Sequence, residues 1–266
     1  MTRILTLDRD GPVAILTLNR PDMLNALGQD GDGQAFADMR SELEADRSLR
    51  CVVLTGAGRG FSAGGDIKAM KARTGAFGGS PEDVRQGYRR NIHRIVDSLY
   101  NLELPMIAAV NGPAIGLGND VACMADIRIA SDKAKFGPTF LKLGLIPGDG
   151  GAWLLPRIIG ASRAAELIFT GDVIDAQTAL DWGLVSRVVP HEDLMSEAMT
   201  LARKIAKQPP QALRAAKTLL RHGATASYPA IMEMSAAIQT AMHFTEDFGE
   251  GVDAILEKRT PDFKGR

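Results

Sequence analysis

Cys51-Val52-Val53-Leu54-Thr55-Gly56-Ala57-Gly58-Arg59-Gly60-Phe61-Ser62-Ala63-Gly64-Gly65-Asp66 passes from an unbroken apolar run into a glycine-dense turn. Met106-Ile107-Ala108-Ala109-Val110-Asn111-Gly112-Pro113-Ala114-Ile115-Gly116-Leu117-Gly118-Asn119-Asp120 repeats the pattern. Short apolar runs bounded by glycine read as strands buried on both faces. Glycine has no Cβ, so such turns let backbone approach a ligand closely. If a helix opens after each turn, its unpaired N–H groups point into the same space, backed by the positive end of the helix dipole. Two turns facing each other in this way would hold negative charge developing on one oxygen, an oxyanion hole.

Upstream, Ile4 to Leu7 and Val13 to Leu18 read as a hairpin turning at Asp10-Gly11, and Ala35 to Ala45 has helical spacing with Phe36, Met39 and Leu43 on one face. Between the two glycine turns, Ile67 to Ala72 starts a short helix, the segment around Gly78 reads as a mobile loop, and Val84 to Leu102 as one long amphipathic helix. Its inward positions are Ile92, Ile95, Val96 and Leu99. Ile127 to Ala130 is a further strand, and Gly144 to Gly151 a third glycine turn before a helix from Trp153 to Ile159. Helical patterns then cover Ala161–Phe169, Ala176–Trp182, Leu194–Ala206, Ala212–Leu220 and Ile231–Phe244, interrupted by a strand at Leu184–Val189. Strands alternating with helices, then helices alone, give an α/β class with a helical C-terminal portion. The division is drawn at 1–195 and 196–266.

A net charge of −1 over 266 residues leaves no electrostatic footprint for nucleic acid or a membrane surface. The two cysteines, Cys51 and Cys123, both lie in apolar stretches and read as buried reduced thiols. The first residues lack an apolar leader, and no run reaches the ~18 apolar residues of a membrane span. A cytoplasmic protein is the expectation.

Several residues invite sharper readings. Gly58 to Ala63 fits a loose dinucleotide fingerprint, with Asp83 as its acid, but no strand precedes Asp83, so a NAD-dependent dehydrogenase is a distant alternative. Ser62 lacks a nucleophile elbow. His93, His191, His222 and His243 have no partners at metal spacing and read as surface or packing residues, so no metal is expected. Trp153 and Trp182 read as core. Lys68, Lys71 and Arg73 form a basic cluster that is either a solvated helix face or a site for a phosphorylated ligand.

Taken together, these turns resemble the crotonase family, also called the enoyl-CoA hydratase/isomerase family. Asn19-Arg20-Pro21 with Asn25-Ala26-Leu27 resembles its N-terminal signature, and Phe61 to Ile67 and Asn111 to Gly118 its two oxyanion loops. Gly144 to Gly151 resembles the turn beside the acyl site, and Phe263-Lys264-Gly265-Arg266 the usual tail. The resemblance spans essentially the whole chain. It implies a crotonase-like β/α spiral of ββα units, a helical trimerisation region, trimers or dimers of trimers, and a CoA thioester as substrate, with no separate cofactor. Carried over by position, the amides of Gly65 and Leu117 would grip the thioester oxygen. Leu24, Ala26, Ala63, Asp66 and Ile67 would line the CoA path. Lys68, Phe263 and Lys264 would meet CoA phosphates, the tail from a neighbouring subunit.

The departures bear on the reaction. Of the two glutamates that family hydratases use to activate water, the first position is Asp120, one methylene shorter, and the second is Phe140, which cannot move a proton. Asp149, in the third glycine turn, is the one evident replacement acid. The resemblance therefore implies an enoyl-CoA hydratase/isomerase with Asp120 as base, and a single carboxylate tilts it slightly toward double-bond isomerisation over hydration. A non-catalytic acyl-CoA-binding homologue is the alternative.

Overall fold

The computed structural model describes residues 4–266. Strand β1 (Leu5–Asp10) pairs antiparallel with β2 (Val13–Leu18), turning at Gly11-Pro12, where Gly11 takes a φ of +55°. Helix α1 (Asp32–Ala45) leads to β3 (Cys51–Gly56), which lies parallel to β2 from Val13↔Cys51 to Leu18↔Gly56. Every residue of β3 is buried. The short α2 (Ile67–Ala72), then α3 (Pro81–Gly87) and α4 (His93–Tyr100), carry the chain to β4 (Met106–Val110), also fully buried. The long helix expected from Val84 is thus two helices joined by a π-helical turn at Tyr88–Ile92. Asn91 explains the widened turn: its side chain bonds Gly33 N–H and the carbonyls of Gly28 and Gln29, tying this segment to the start of α1.

From β4 the chain steps sideways into β5 (Pro113–Ile115) and α5 (Leu117–Met124). It returns through β6 (Ile127–Ser131) to β7 (Lys135–Gly137) and reaches α6 (Gly151–Ile159). Next come α7 (Ala161–Thr170), β8 (Ile174–Asp175), α8 (Ala176–Asp181) and β9 (Arg187–Val189). The first sheet runs β1-β2-β3-β4-β6-β9 and the second β5-β7-β8. β4 to β5 to α5 and β6 to β7 to α6 are successive ββα turns, and Ser62, bridged to Ala114, stands where β3 would place its own second strand. This is the expected spiral.

Alternation along the strands sets up two cores. Val52, Leu54, Met106, Ala108 and Val110 face one side with Phe36, Ile95 and Leu99, while Cys51, Val53, Ile107, Ala109 and Ile129 face the other. That second face is covered by α9 (Leu194–Ile205), whose Leu194, Ala198 and Ala202 recur every four residues. Small alanines let the helix lie close to the sheet. The division drawn at 195/196 falls just inside α9, so this helix sits with the sheet. Both thiols are buried and unpaired in disulfides, and desolvation pushes each up to about 12. The core reading fails for Trp153, which is 36% exposed beneath the Arg157 guanidinium, edge-on to Tyr100. Trp182 is half-buried against the core.

The C-terminal helices α10 (Pro210–Gly223), α11 (Tyr228–His243) and α12 (Glu246–Glu257) behave differently. No residue of α11 is buried, and Phe244, Ile255 and Leu256 are among the most exposed apolar side chains. No helix among the described residues is long and apolar enough to cross a membrane.

Candidate active site

The two glycine turns are stitched face to face. Phe61 and Ser62 N–H both donate to Pro113 O, at 3.1 and 3.0 Å, and Ile115 N–H donates to Ser62 O at 2.9 Å. The approach depends on glycine: a Cβ on Gly64, already at φ +92°, would stand 2.5 Å from Ile115 O and 3.3 Å from Leu117 N. Buried asparagines shape the first turn. Asn25 Nδ2 donates to Ala57 O and Gly60 O, and Asn111 Nδ2 to Gly58 O. Asn25 holds a left-handed φ of +56° beneath a bidentate Arg20–Asp32 pair, which accounts for the N-terminal signature structurally. Ser62 is buried and its hydroxyl donates to Asn25 O, so it is a tie in the turn.

Among the described residues, neither Gly65 N–H nor Leu117 N–H has a protein acceptor. Leu117 opens α5, where the first N–H groups lack intrahelical partners. Gly65 and Leu117 both line a cavity of about 80 Å³, whose other walls include Ile67, Met70, Phe77, Tyr88 and Phe140. Its one carboxylate is Asp149.

Asp120 is not among the residues that line this cavity. It is fully buried on α5, and its Oδ2 accepts Gly151 N–H at 2.9 Å, receiving the first amide of α6. Gly151 must be glycine, because a Cβ there would run into the Asp120 carboxylate. Asp149 is also buried, yet its Oδ1 has no protein partner. Burial pushes Asp149 up to about 6, opposed by His93, whose Nε2 lies 3.0 Å from Gly148 O. Burial, and then the charge of Asp149, push Asp120 up to about 8. Burial thus raises both carboxyls, which titrate as a pair, and Asp149 is the member that lines the cavity.

That shift predicts a stability effect. The folded state keeps a proton on Asp120 up to about pH 8, whereas an unfolded aspartate releases it near ~3.9. A carboxyl raised on folding loses stability as pH rises through that window. Asp120→Asn keeps an oxygen for Gly151 N–H, so its Tm is expected to gain on the parent increasingly from about pH 4 to 8 and by a constant margin above. A pH-independent margin in thermal melts contradicts the assigned ionisation.

The other expected positions divide. A second cavity, of about 390 Å³, is lined by Leu24 and Ala63 and meets the inner one at Ala63 and Ile115. Asp66 caps α2 through the amides of Lys68 and Ala69 and accepts from Gln29. Ala26 is buried, Ile67 reaches the inner cavity, and Lys68 is exposed but lines neither space. Phe263 and Lys264 lie along α12: the Phe263 ring is against Gly251, and Lys264 N–H donates to Asp247. Neither lines these cavities.

Sequence reasoning did not single out as site residues Tyr88, which lines the inner cavity, or His93, whose charge opposes the upward shift of Asp149. Tyr88 shares the i, i+4 row of Ile92 and Val96, a polar aromatic on an otherwise aliphatic inward face, and that was the available signal. The fingerprint acid Asp83 instead closes a capping box with Ser80 at the start of α3.

The profile of the family described as enoyl-CoA hydratase/isomerase matches residues 8–266. The chain is 39% identical to the 1,2-epoxyphenylacetyl-CoA isomerase of Escherichia coli, covering 96% of this chain and 95% of that one. It is 38% identical to the 2,3-dehydroadipyl-CoA hydratase of the same organism, covering 98% and 99%. The chain belongs to the enoyl-CoA hydratase/isomerase family. A crystal structure of an enoyl-CoA hydratase from Bacillus anthracis superposes with a TM-score of 0.92 at 35% identity, over 99% of this chain and 100% of that one, and carries the same crotonase fold. This is an enzyme of the hydratase/isomerase type, acting on acyl-CoA.

Proposed function

We propose that this enzyme moves a proton between carbons of an enoyl-CoA thioester by way of an enolate, with Asp149 as the base. The supporting observation is that Asp149 is the inner cavity's one carboxylate and carries a buried oxygen with no protein partner. Its carboxylate takes a proton from the α-carbon of a β,γ-enoyl thioester, and the C–H electron pair moves onto the thioester oxygen. Gly65 and Leu117 N–H stabilise that oxygen, and the protonated Asp149 returns the proton at the γ-carbon. The reading takes Asp149 over Asp120, the base expected from the resemblance, because Asp120 receives the first amide of α6 and does not line the inner cavity.

Isomerisation is favoured over hydration because Phe140 faces the cavity where a second water-activating acid would be needed. The CoA moiety runs along Leu24 and Ala63, and no separate cofactor takes part in these steps. A panel of CoA thioesters followed by absorbance and mass tests the reading. A shifted double bond at constant mass supports it, a gain of one water identifies a hydratase, and binding without turnover identifies a non-catalytic homologue.

The activity should rise with pH through an acidic limb near 6, as Asp149 loses its proton. His93 opposes the upward shift of Asp149, so His93→Gln is expected to move that limb to higher pH. An unmoved limb in the kcat/KM profile separates His93 from the base.

We further read the uncovered apolar faces of α11 and α12 as buried between subunits of a homotrimer or dimer of trimers. Sedimentation should give three or six chains per particle, and a stable monomer at micromolar concentration overturns this.

A further inference from the structure

The inner cavity does not end at Asp149. It shares Ile67, Met70, Phe77, Tyr88, Leu143 and Leu145 with an outer groove of about 770 Å³, on a different side from the cavity lined by Leu24. The collar is apolar and open, with Ile67 58% and Leu143 49% exposed. Two cations also line this groove, Lys71 and Arg73. Among the described residues neither has a carboxylate partner, whereas Arg85 nearby is paired with Glu82 at 3.4 Å. Arg73 is held as the C-cap of α2 at a φ of +52°, and the carbonyl of Arg73 packs on Gly78 so closely that a Cβ there would lie 2.5 Å from it. The basic cluster of the sequence therefore splits: Lys71 and Arg73 turn to the groove, and Lys68 does not line it.

We infer that the outer groove is a subsite for the far end of the acyl chain and that Lys71 and Arg73 select acyl groups ending in a carboxylate. This rests on the reading of the inner cavity as the thioester site. An aliphatic middle suits the apolar walls, and an anionic terminus at the rim gains two charge-assisted contacts. Each is exposed to solvent and modest alone. A CoA phosphate is the other anion these cations could meet, and the test separates the two.

The experiment compares enoyl-CoA substrates of equal chain length, from six to twelve carbons, ending in methyl or in carboxylate. The parent and the Lys71→Ala/Arg73→Ala variant are assayed, and binding of free CoA and of the corresponding saturated thioesters is measured by calorimetry. In the double variant the ratio of kcat/KM for carboxyl-ended over methyl-ended substrate should fall about tenfold, with the preference in the parent weakening as salt rises. The saturated carboxyl-ended thioester should lose affinity by the same factor relative to free CoA. An unchanged ratio overturns the subsite, and an equal loss for free CoA assigns the cations to a phosphate instead. Calorimetry needs no turnover, so carboxylate selection without catalysis would sink the proposed reaction while leaving the subsite standing.

Discussion

Asp149→Asn is expected to lower kcat by roughly 10²–10⁴-fold, the usual contribution of a positioned general base, while CoA-thioester affinity stays within about twofold. The substitution is nearly isosteric, and Asp149 Oδ1 has no protein hydrogen bond to lose. Turnover by single-turnover kinetics and affinity by calorimetry give the two numbers separately. Asp120→Asn is the necessary comparison. Asp120 does not line the inner cavity and its carboxyl is pushed up by burial, so a neutral amide there resembles its protonated form. Activity should survive that change far better than the change at Asp149. The reverse ranking would return the base to Asp120 and make Asp149 a bystander of the third glycine turn.

The second large effect concerns an amide. Leu117→Pro deletes one of the two proposed oxyanion donors, and loss of one such donor costs roughly 10²–10³ in kcat, or ~2.7–4 kcal/mol. Proline is acceptable at the first position of a helix because that N–H has no intrahelical partner, and α5 starts at Leu117. Gly116 before it, at φ +54° and ψ −123°, has a freedom that no other residue offers ahead of proline. The leucine side chain is buried as well, so Leu117→Ala provides the control for lost packing. The account predicts a small loss in kcat for Ala and a large one for Pro, with circular dichroism unchanged. Equal losses would place the effect in the side chain and remove the amide from the chemistry.

The frame that carries these groups was readable from sequence because its signals are local. An apolar run buried on both faces and a glycine turn needing close approach leave plain marks, and β3, β4, α5 and both turns fall where those marks stand. The second sheet left almost none: β5 and β7 have three residues each and β8 two, too short for any period to show. Helix α12 went unread although Phe248, Val252, Ile255 and Leu256 recur at helical spacing, and the structure leaves that apolar stripe exposed. The π-helical turn at Tyr88–Ile92 depends on Asn91 reaching α1, a contact across the fold that no window of sequence contains. The choice between Asp120 and Asp149 is of the same kind. Both are acids beside glycines at helix starts, and only the packing of α6 on α5 shows which one takes an amide and which one faces the cavity.

Isotope exchange tests the central claim most directly. Incubating the enzyme in D₂O with a saturated acyl-CoA, which can form the enolate but has no double bond to move, should exchange the α-hydrogens for deuterium as read by mass spectrometry. Exchange should rise with pH through the Asp149 limb near 6 and be lost in Asp149→Asn. Exchange that persists at the parent rate in Asp149→Asn would contradict the account.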